Sequence, residues 1–175
     1  MKQKIDYNLK QLIQVFIDEN IESPPSFLAS FMGSILNKVG RTATQDAFES
    51  SHHSKLSKLL DSKKPTFSET LMNFIDKRGL KDSEVYNKAG ISRQLFSKIR
   101  IHQNYKPTKP TVLLFALAME LDLNDTKELL ASAGFTLSHS SKQDLIIEFL
   151  ISKGIHDIFT VNDVLYEFKE PTLGT

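Results

Sequence analysis

Apolar residues recur at three- and four-residue intervals along almost the whole chain, and this spacing strongly limits how it can fold. In one segment, Phe67, Leu71, Phe74 and Ile75 fall on one side of a helix. The alternation of apolar and polar residues that is typical of a half-buried strand is nearly absent. The sequence therefore predicts an all-α fold.

The first 63 residues contain three such apolar stripes. The first ends before Pro24 and Pro25, the second ends at Gly40, and the third runs from about residue 44 to residue 60. The residues predicted to face inward are Ile5, Leu9, Leu12, Ile13 and Phe16; Phe27, Leu28, Phe31, Met32, Ile35, Leu36 and Val39; and Phe48, Leu56, Leu59 and Leu60. Because residues 61–65 are polar and end in proline, we predict an N-terminal helical domain of unknown role over residues 1–63.

Residues 64–136 carry the start and stop signals of five helices. Thr66 and Glu69 have the spacing of a capping box, and three further helices are predicted to begin at capping residues, namely Asp82, Ser92 and Asn124. Helices are expected to end at Gly79, Gly90 and Gly134. Between Gly90 and Gly134, an almost entirely apolar helix is predicted from about residue 109 to residue 121.

Residues 137–175 are predicted to form a C-terminal extension of two helices, which start near Ser141 and Thr160. The first has more apolar residues than one buried face needs, namely Leu145, Ile146, Ile147, Phe149, Leu150 and Ile151. This surplus predicts either a homodimer contact or docking against the five-helix core. From Glu120 onward the chain has 10 acidic and 4 basic residues, so we expect this part to point away from any polyanion.

Between Glu84 and Glu120 the sequence has no acidic residue. This acid-free window contains six basic residues, although the formal net charge of the whole chain is only +1. The six are Lys88, Arg93, Lys98, Arg100, Lys106 and Lys109. Such a concentration of basic residues on a near-neutral protein indicates contact with a polyanion, most simply double-stranded DNA.

A short helix is predicted inside this window, directly after a turn at Gly90. A helical wheel places Leu95, Phe96 and Ile99 toward the core, and the opposite side carries Gln94, Ser97 and Ile101. An amide and a hydroxyl can bond base edges in the major groove, whereas cations and loop residues suit phosphates. The predicted DNA-binding residues are Arg93, Gln94, Ser97, Lys98, Arg100, Tyr105, Lys106 and Lys109.

The segment Leu80-Lys-Asp-Ser-Glu-Val-Tyr-Asn-Lys-Ala-Gly-Ile-Ser-Arg-Gln-Leu-Phe-Ser-Lys-Ile99, with the helices that follow it, resembles the lambda-repressor-like (Cro/Xre-type) helix-turn-helix domain. The resemblance covers about residues 66–134, with five helices in the family's order. Residues 66–174 also resemble a bacterial module of uncertain function. The resemblance implies a DNA-binding regulator of bacterial or phage type, which is expected to act as a homodimer on half-sites one helical turn apart.

Two positions depart from the family's pattern. Asp82 or Ser83 stands where a phosphate-binding glutamine is usual, and Tyr86 stands where alanine is preferred. We therefore keep a second function, a protein-interaction module that serves as an inhibitor, an antitoxin or a phage-defence-related adaptor. The N-terminal helices are candidates to contact a protein partner, through Phe27, Phe31 and Met32.

Several functional classes are not supported by the sequence. The chain has no cysteine, so disulfides and thiolate-bound zinc are excluded, and its five histidines show no metal-binding spacing. Without a glycine-rich phosphate loop or a nucleophile elbow, we expect neither an enzyme nor a cofactor. The longest strongly apolar stretch, residues 112–119, is too short to cross a membrane, and we expect no secretory signal, because Met1-Lys-Gln-Lys is not followed by an uninterrupted apolar segment. We expect a cytoplasmic protein.

Overall fold

In this computed structural model, which describes residues 7–21 and 64–174, the chain forms eight helices. The described residues contain no strands, so the all-α prediction is confirmed for these parts of the chain. The second and third predicted helices lie outside the described residues. In chain order the helices are α1 (Tyr7–Ile21), α2 (Phe67–Lys77), α3 (Asp82–Lys88), α4 (Arg93–Ile101), α5 (Lys109–Ala118), α6 (Leu123–Ser132), α7 (Lys142–Ser152) and α8 (Ile158–Glu167).

Polar side chains cap the helices at several of the predicted positions. At the start of α2, the Glu69 N–H donates to the Thr66 hydroxyl at 3.4 Å, and the Thr66 N–H donates to the Glu69 carboxylate at 2.8 Å. Ser92 and Ser141 cap α4 and α7 through their hydroxyl oxygens. Each cap accepts from an N–H group that has no partner inside its helix, which defines where the helix begins.

Two predicted helix starts are displaced toward the N-terminus. Asp122, not Asn124, caps α6 and accepts from the Asp125 N–H at 2.9 Å. The last helix, α8, begins at Ile158 rather than at Thr160, and the Asp157 carboxylate caps it by accepting from the Thr160 N–H at 2.8 Å. In both cases an upstream carboxylate accepts from the free N–H groups, and the residue predicted at the helix start lies inside the helix.

The core is built around α5, which contacts α3, α6 and α8. All of residues 112–119 are 5% accessible or less. The ring of Phe115 lies near its centre, with its centroid 6.3 Å from that of Phe67 on α2 and 6.0 Å from that of Phe96 on α4. Burial of these three rings anchors the inner side of α4 to the core.

The first helix packs against α7, so that residues 7–21 and 65–174 belong to one compact unit. Ile13 and Ile17 are buried, and the ring of Phe16 lies 5.3 Å from that of Phe149. The prediction that Leu12 faces inward is wrong. Leu12 is 56% exposed, because Ile13, Phe16 and Ile17 form the face toward α7. In the described residues, α1 therefore packs with helices that follow residue 64.

The surplus of apolar residues on α7 is covered within the chain. The six residues named above are at most 6% accessible, because α7 contacts α1, α6 and α8. Packing of this kind, rather than contact with a second copy, accounts for the surplus. None of the described helices has the length and apolar character that a membrane span requires.

Candidate nucleic-acid interface

A glycine turn joins α3 to α4. Gly90 has φ +65°, and the Ile91 N–H donates to the Tyr86 carbonyl at 2.8 Å. The Gly90 N–H donates to the Asn87 carbonyl at 3.1 Å. This arrangement ends α3 with a left-handed residue, a conformation that glycine adopts without a side-chain penalty.

The two sides of α4 differ as the helical wheel predicts. Phe96 and Ile99 are 3% and 0% accessible, and Leu95 is partly buried against the core. The Tyr86 ring of α3 lies 5.5 Å from the Phe96 ring, which fixes α4 to α3. The exposed side carries Arg93, Gln94, Ser97, Lys98 and Ile101, which together we call the α4 surface.

Three of the six cations in the acid-free window are paired with carboxylates from outside it. The pairs are Lys88 with Glu120, Arg100 with Asp82, and Lys109 with Asp144. The hydrogen bond from Lys88 lowers the pKa of Glu120 below its ordinary value, and the charge of Lys88 acts in the same direction. The basic surface is therefore smaller than the sequence indicates.

The charge of Lys109 is already compensated by a carboxylate of α7. Its side chain is 26% accessible, and its ammonium lies 2.5 Å from the carboxylate of Asp144, which is 3% accessible. The same carboxylate accepts from the Ser138 N–H at 2.8 Å. Lys109 thus links α5 to α7, and a phosphate at this position would compete with Asp144 for its ammonium.

The other three cations of the window remain on the outside. Arg93 and Lys106 are exposed and have no carboxylate partner among the described residues. The ammonium of Lys98 lies 5.7 Å from the centroid of the Tyr105 ring, an arrangement in which the ring attracts the cation. The Ser68 hydroxyl donates to the His102 carbonyl at 3.2 Å and holds the loop that presents Tyr105 and Lys106.

An open groove runs between the beginning of α3 and α4. Its lining includes Lys81, Asp82, Ser83, Arg93 and Arg100. Lys81 is exposed and adds a cation to this groove. It is not among the predicted DNA-binding residues, because it precedes the acid-free window. The signal that could have found it is its place next to the N-terminus of α3.

Asp82 does not cap α3, contrary to the prediction. It is the first residue of that helix, Lys81 precedes it as the capping residue, and the Asp82 carboxylate accepts from Arg100. The Lys81 N–H donates instead to the Glu84 carboxylate at 3.3 Å. The predicted phosphate contact Arg100 is therefore already compensated by a neighbouring charge.

The described parts of the chain contain no group of three or more histidine, aspartate or glutamate residues placed to hold a metal ion. The two histidines of the C-terminal extension have local roles: His139 lies 3.0 Å from the Glu148 carboxylate and His156 lies 3.0 Å from the Leu121 carbonyl. No family model, curated protein or solved structure matches this chain.

Proposed function

We propose that this protein is a DNA-binding regulator of bacterial or phage type that inserts α4 into the major groove. The observation that carries the proposal is the composition of the α4 surface. Gln94 and Ser97 lie beside Arg93 and Lys98 on the exposed side of a helix that carries no carboxylate. Hydrogen-bonding groups flanked by cations suit base edges flanked by phosphates.

The arrangement of α2–α6 supports a lambda-repressor-like fold for residues 66–134. Five helices lie in this range, and a turn at Gly90 connects the two that would form the helix-turn-helix. The rings of Phe67, Phe96 and Phe115 hold the inner side of α4, so its outer side is free for a ligand. A helix fixed in this way can present base-reading groups in a constant orientation.

Each residue of the interface has a separate proposed role. The Gln94 amide bonds a base, most favourably the N6 and N7 groups of adenine, and Ser97 bonds a neighbouring base edge. Arg93, Lys98 and Lys106 hold phosphates, and Tyr105 positions Lys98. Lys81 is a further phosphate ligand in the groove, whereas Lys109 is left out of the interface.

A homodimer that reads two half-sites accompanies this function in our proposal. Since α7 is covered by helices of its own chain, the dimer contact must lie on another face. The acidic C-terminal extension is proposed to stay away from DNA, because its carboxylates would be repelled by phosphates.

One observation favours a second candidate, a protein-interaction module. The Asp82 carboxylate lines the groove beside α4 and neutralises Arg100, and this removes a cation at the place where a phosphate would approach. A protein partner with its own basic side chain would tolerate Asp82 better than DNA does. An inhibitor, an antitoxin or a phage-defence-related adaptor would use the surface in this way.

The two candidates differ in their binding to duplex DNA of random sequence at low salt. For the DNA-binding regulator, we expect the full chain to shift such a duplex in a gel, and the double variant Arg93→Ala, Lys98→Ala to bind at least about tenfold more weakly. A matched double variant, Lys77→Ala with Lys153→Ala, removes the same charge from exposed positions at the C-terminal ends of α2 and α7. It should bind like the wild type.

Absence of any shift by the wild-type chain would reject the DNA-binding proposal and favour the protein-interaction module. Equal losses in both double variants would show that net charge, rather than the α4 surface, controls binding.

A further inference from the structure

Ile101 is an apolar residue at the C-terminal end of the otherwise polar α4 surface. Its side chain is 74% exposed, although it is the last residue of a helix that buries Phe96 and Ile99. It lies one turn after Ser97 and two turns after Gln94, so all three share one side of α4. A single exposed apolar residue is common in proteins, but this one belongs to the proposed interface.

The chemistry of isoleucine fits one feature of the major groove. Of the four bases only thymine presents a methyl group there, and apolar side chains contact it. The branched side chain of isoleucine is stiff at its first torsion, so its methyl groups are held in place before binding. Gln94 and Ser97 can form hydrogen bonds with base edges, and Ile101 can supply the apolar contact that these two side chains cannot make.

We propose that Ile101 reads the 5-methyl group of a thymine, so that the DNA bound by this protein carries a required thymine near the end of α4. This inference rests on the proposed function, because it assigns sequence preference to the same surface. It adds a base-reading residue that is neither charged nor capable of hydrogen bonding.

The helix geometry also gives the distance between the two base pairs that Gln94 and Ile101 are proposed to contact. Seven residues separate Gln94 from Ile101, which corresponds to about 10 Å along the helix axis. Successive base pairs are about 3.4 Å apart, so a helix aligned with the groove reads positions about three base pairs apart. The preferred sequence is therefore expected to place the thymine about three base pairs from the base pair read by Gln94.

The test begins with selection of preferred duplexes by the full chain from a pool with a randomised centre. Each thymine of the preferred duplex is then replaced singly by uracil, which removes only the 5-methyl group. For one thymine we expect binding by the wild-type chain to weaken about threefold to fivefold, the factor expected for one buried methyl group. In Ile101→Ala the same replacement is expected to change nothing, and in Ile101→Val the effect should be intermediate.

Two controls separate the contact from other causes. Gln94→Ala should keep the response to uracil but lose the preference at its own base pair. Because Ile101 is exposed, Ile101→Ala should unfold at the same urea concentration as the wild type.

The outcomes distinguish this inference from the function on which it rests. If no duplex is bound or enriched, both fail together. If a preferred duplex is found and no uracil replacement weakens binding, the thymine reading is wrong while the DNA-binding function stands. A uracil effect that persists in Ile101→Ala would likewise overturn the role of Ile101.

Discussion

The ammonium of Lys109 on α5 lies 2.5 Å from the carboxylate of Asp144 on α7, and only 3% of the Asp144 side chain is accessible. This pair takes one cation out of the basic surface predicted from the sequence and uses it to join two helices that are remote in the chain. Arg93, Lys98 and Lys106 remain exposed and have no carboxylate partner among the described residues. The division between paired and unpaired cations yields predictions for both stability and binding.

Lys109→Ala is expected to destabilise the protein by about 3 kcal/mol, because it leaves the buried Asp144 carboxylate without its cation. The Ser138 N–H would remain as a partner and keeps the loss from being larger. Urea unfolding of the full chain measures this difference. Lys106→Ala removes an exposed cation and should change the free energy of unfolding by less than about 0.5 kcal/mol. Equal effects of the two variants would contradict the structural role of Lys109.

DNA binding should depend on Lys106 and not on Lys109, the reverse of the order expected for stability. Lys106→Ala is expected to weaken binding to all duplexes alike and to reduce the slope of log affinity against log salt by about 0.9, the value for one lost phosphate contact. The slope should be unchanged in Lys109→Ala, measured where that variant is still folded. Titrations at several salt concentrations give both slopes. A reduced slope in Lys109→Ala would show that Lys109 contacts a phosphate and belongs to the interface.

Asp82→Asn is expected to strengthen DNA binding severalfold, because it removes a negative charge from the groove and releases Arg100 for a phosphate. Its cost in stability should stay below about 1 kcal/mol, since the pair is largely exposed. Asp163→Asn makes the same change on an exposed part of α8 and serves as the matched control. If Asp82→Asn weakened DNA binding, or strengthened it no more than the control does, the proposed path of DNA along this groove would be wrong.

Lys169 follows α8 with φ 60°, a left-handed conformation that costs a residue with a side chain about 1 kcal/mol. Lys169→Gly is therefore expected to raise the free energy of unfolding by about that amount. Lys77→Gly, inside the last turn of α2, should instead lower it by about 1 kcal/mol. Urea unfolding curves of the two variants check the opposite signs. Destabilisation by Lys169→Gly would show that its side chain contributes more than the backbone conformation costs.

Capping carboxylates make stability depend on acid pH. Hydrogen bonds from the Thr66 backbone and hydroxyl lower the pKa of Glu69 below its ordinary 4.5, and those from the Thr160 hydroxyl and backbone lower the pKa of Asp157 below 3.8. Both groups are therefore more acidic in the folded chain than in the unfolded one. Their contribution is complete above the unfolded pKa and is lost as the pH falls through the folded pKa.

We expect the free energy of unfolding to decrease between about pH 5 and about pH 3, and Glu69→Gln to make this decrease shallower. Glutamine can still accept in the capping box, so the helix start is preserved while the titration is removed. Glu128→Gln, at an exposed position on α6, is the matched control for the loss of a carboxylate. A pH dependence that is the same in Glu69→Gln and in the wild type would contradict the assignment to this cap.

The features of the candidate site that the sequence predicted are those set within one or two helical turns. The spacing of Leu95, Phe96 and Ile99 was enough to orient α4, and the caps at Thr66 and Ser92 follow from local hydrogen-bonding rules. The same rules misplaced the starts of α6 and α8, because a carboxylate a few residues upstream competed for the same N–H groups.

The amino-acid sequence by itself determined that the described chain is helical, where α4 begins and which of its sides faces outward. Only the tertiary structure decided which charges remain available. Lys109 meets Asp144 across 35 positions of sequence and Arg100 meets Asp82 across 18, and neither pairing follows from local spacing. The physical reason is that helix formation depends on neighbours along the chain, whereas ion pairing depends on which helices the burial of apolar surface brings together.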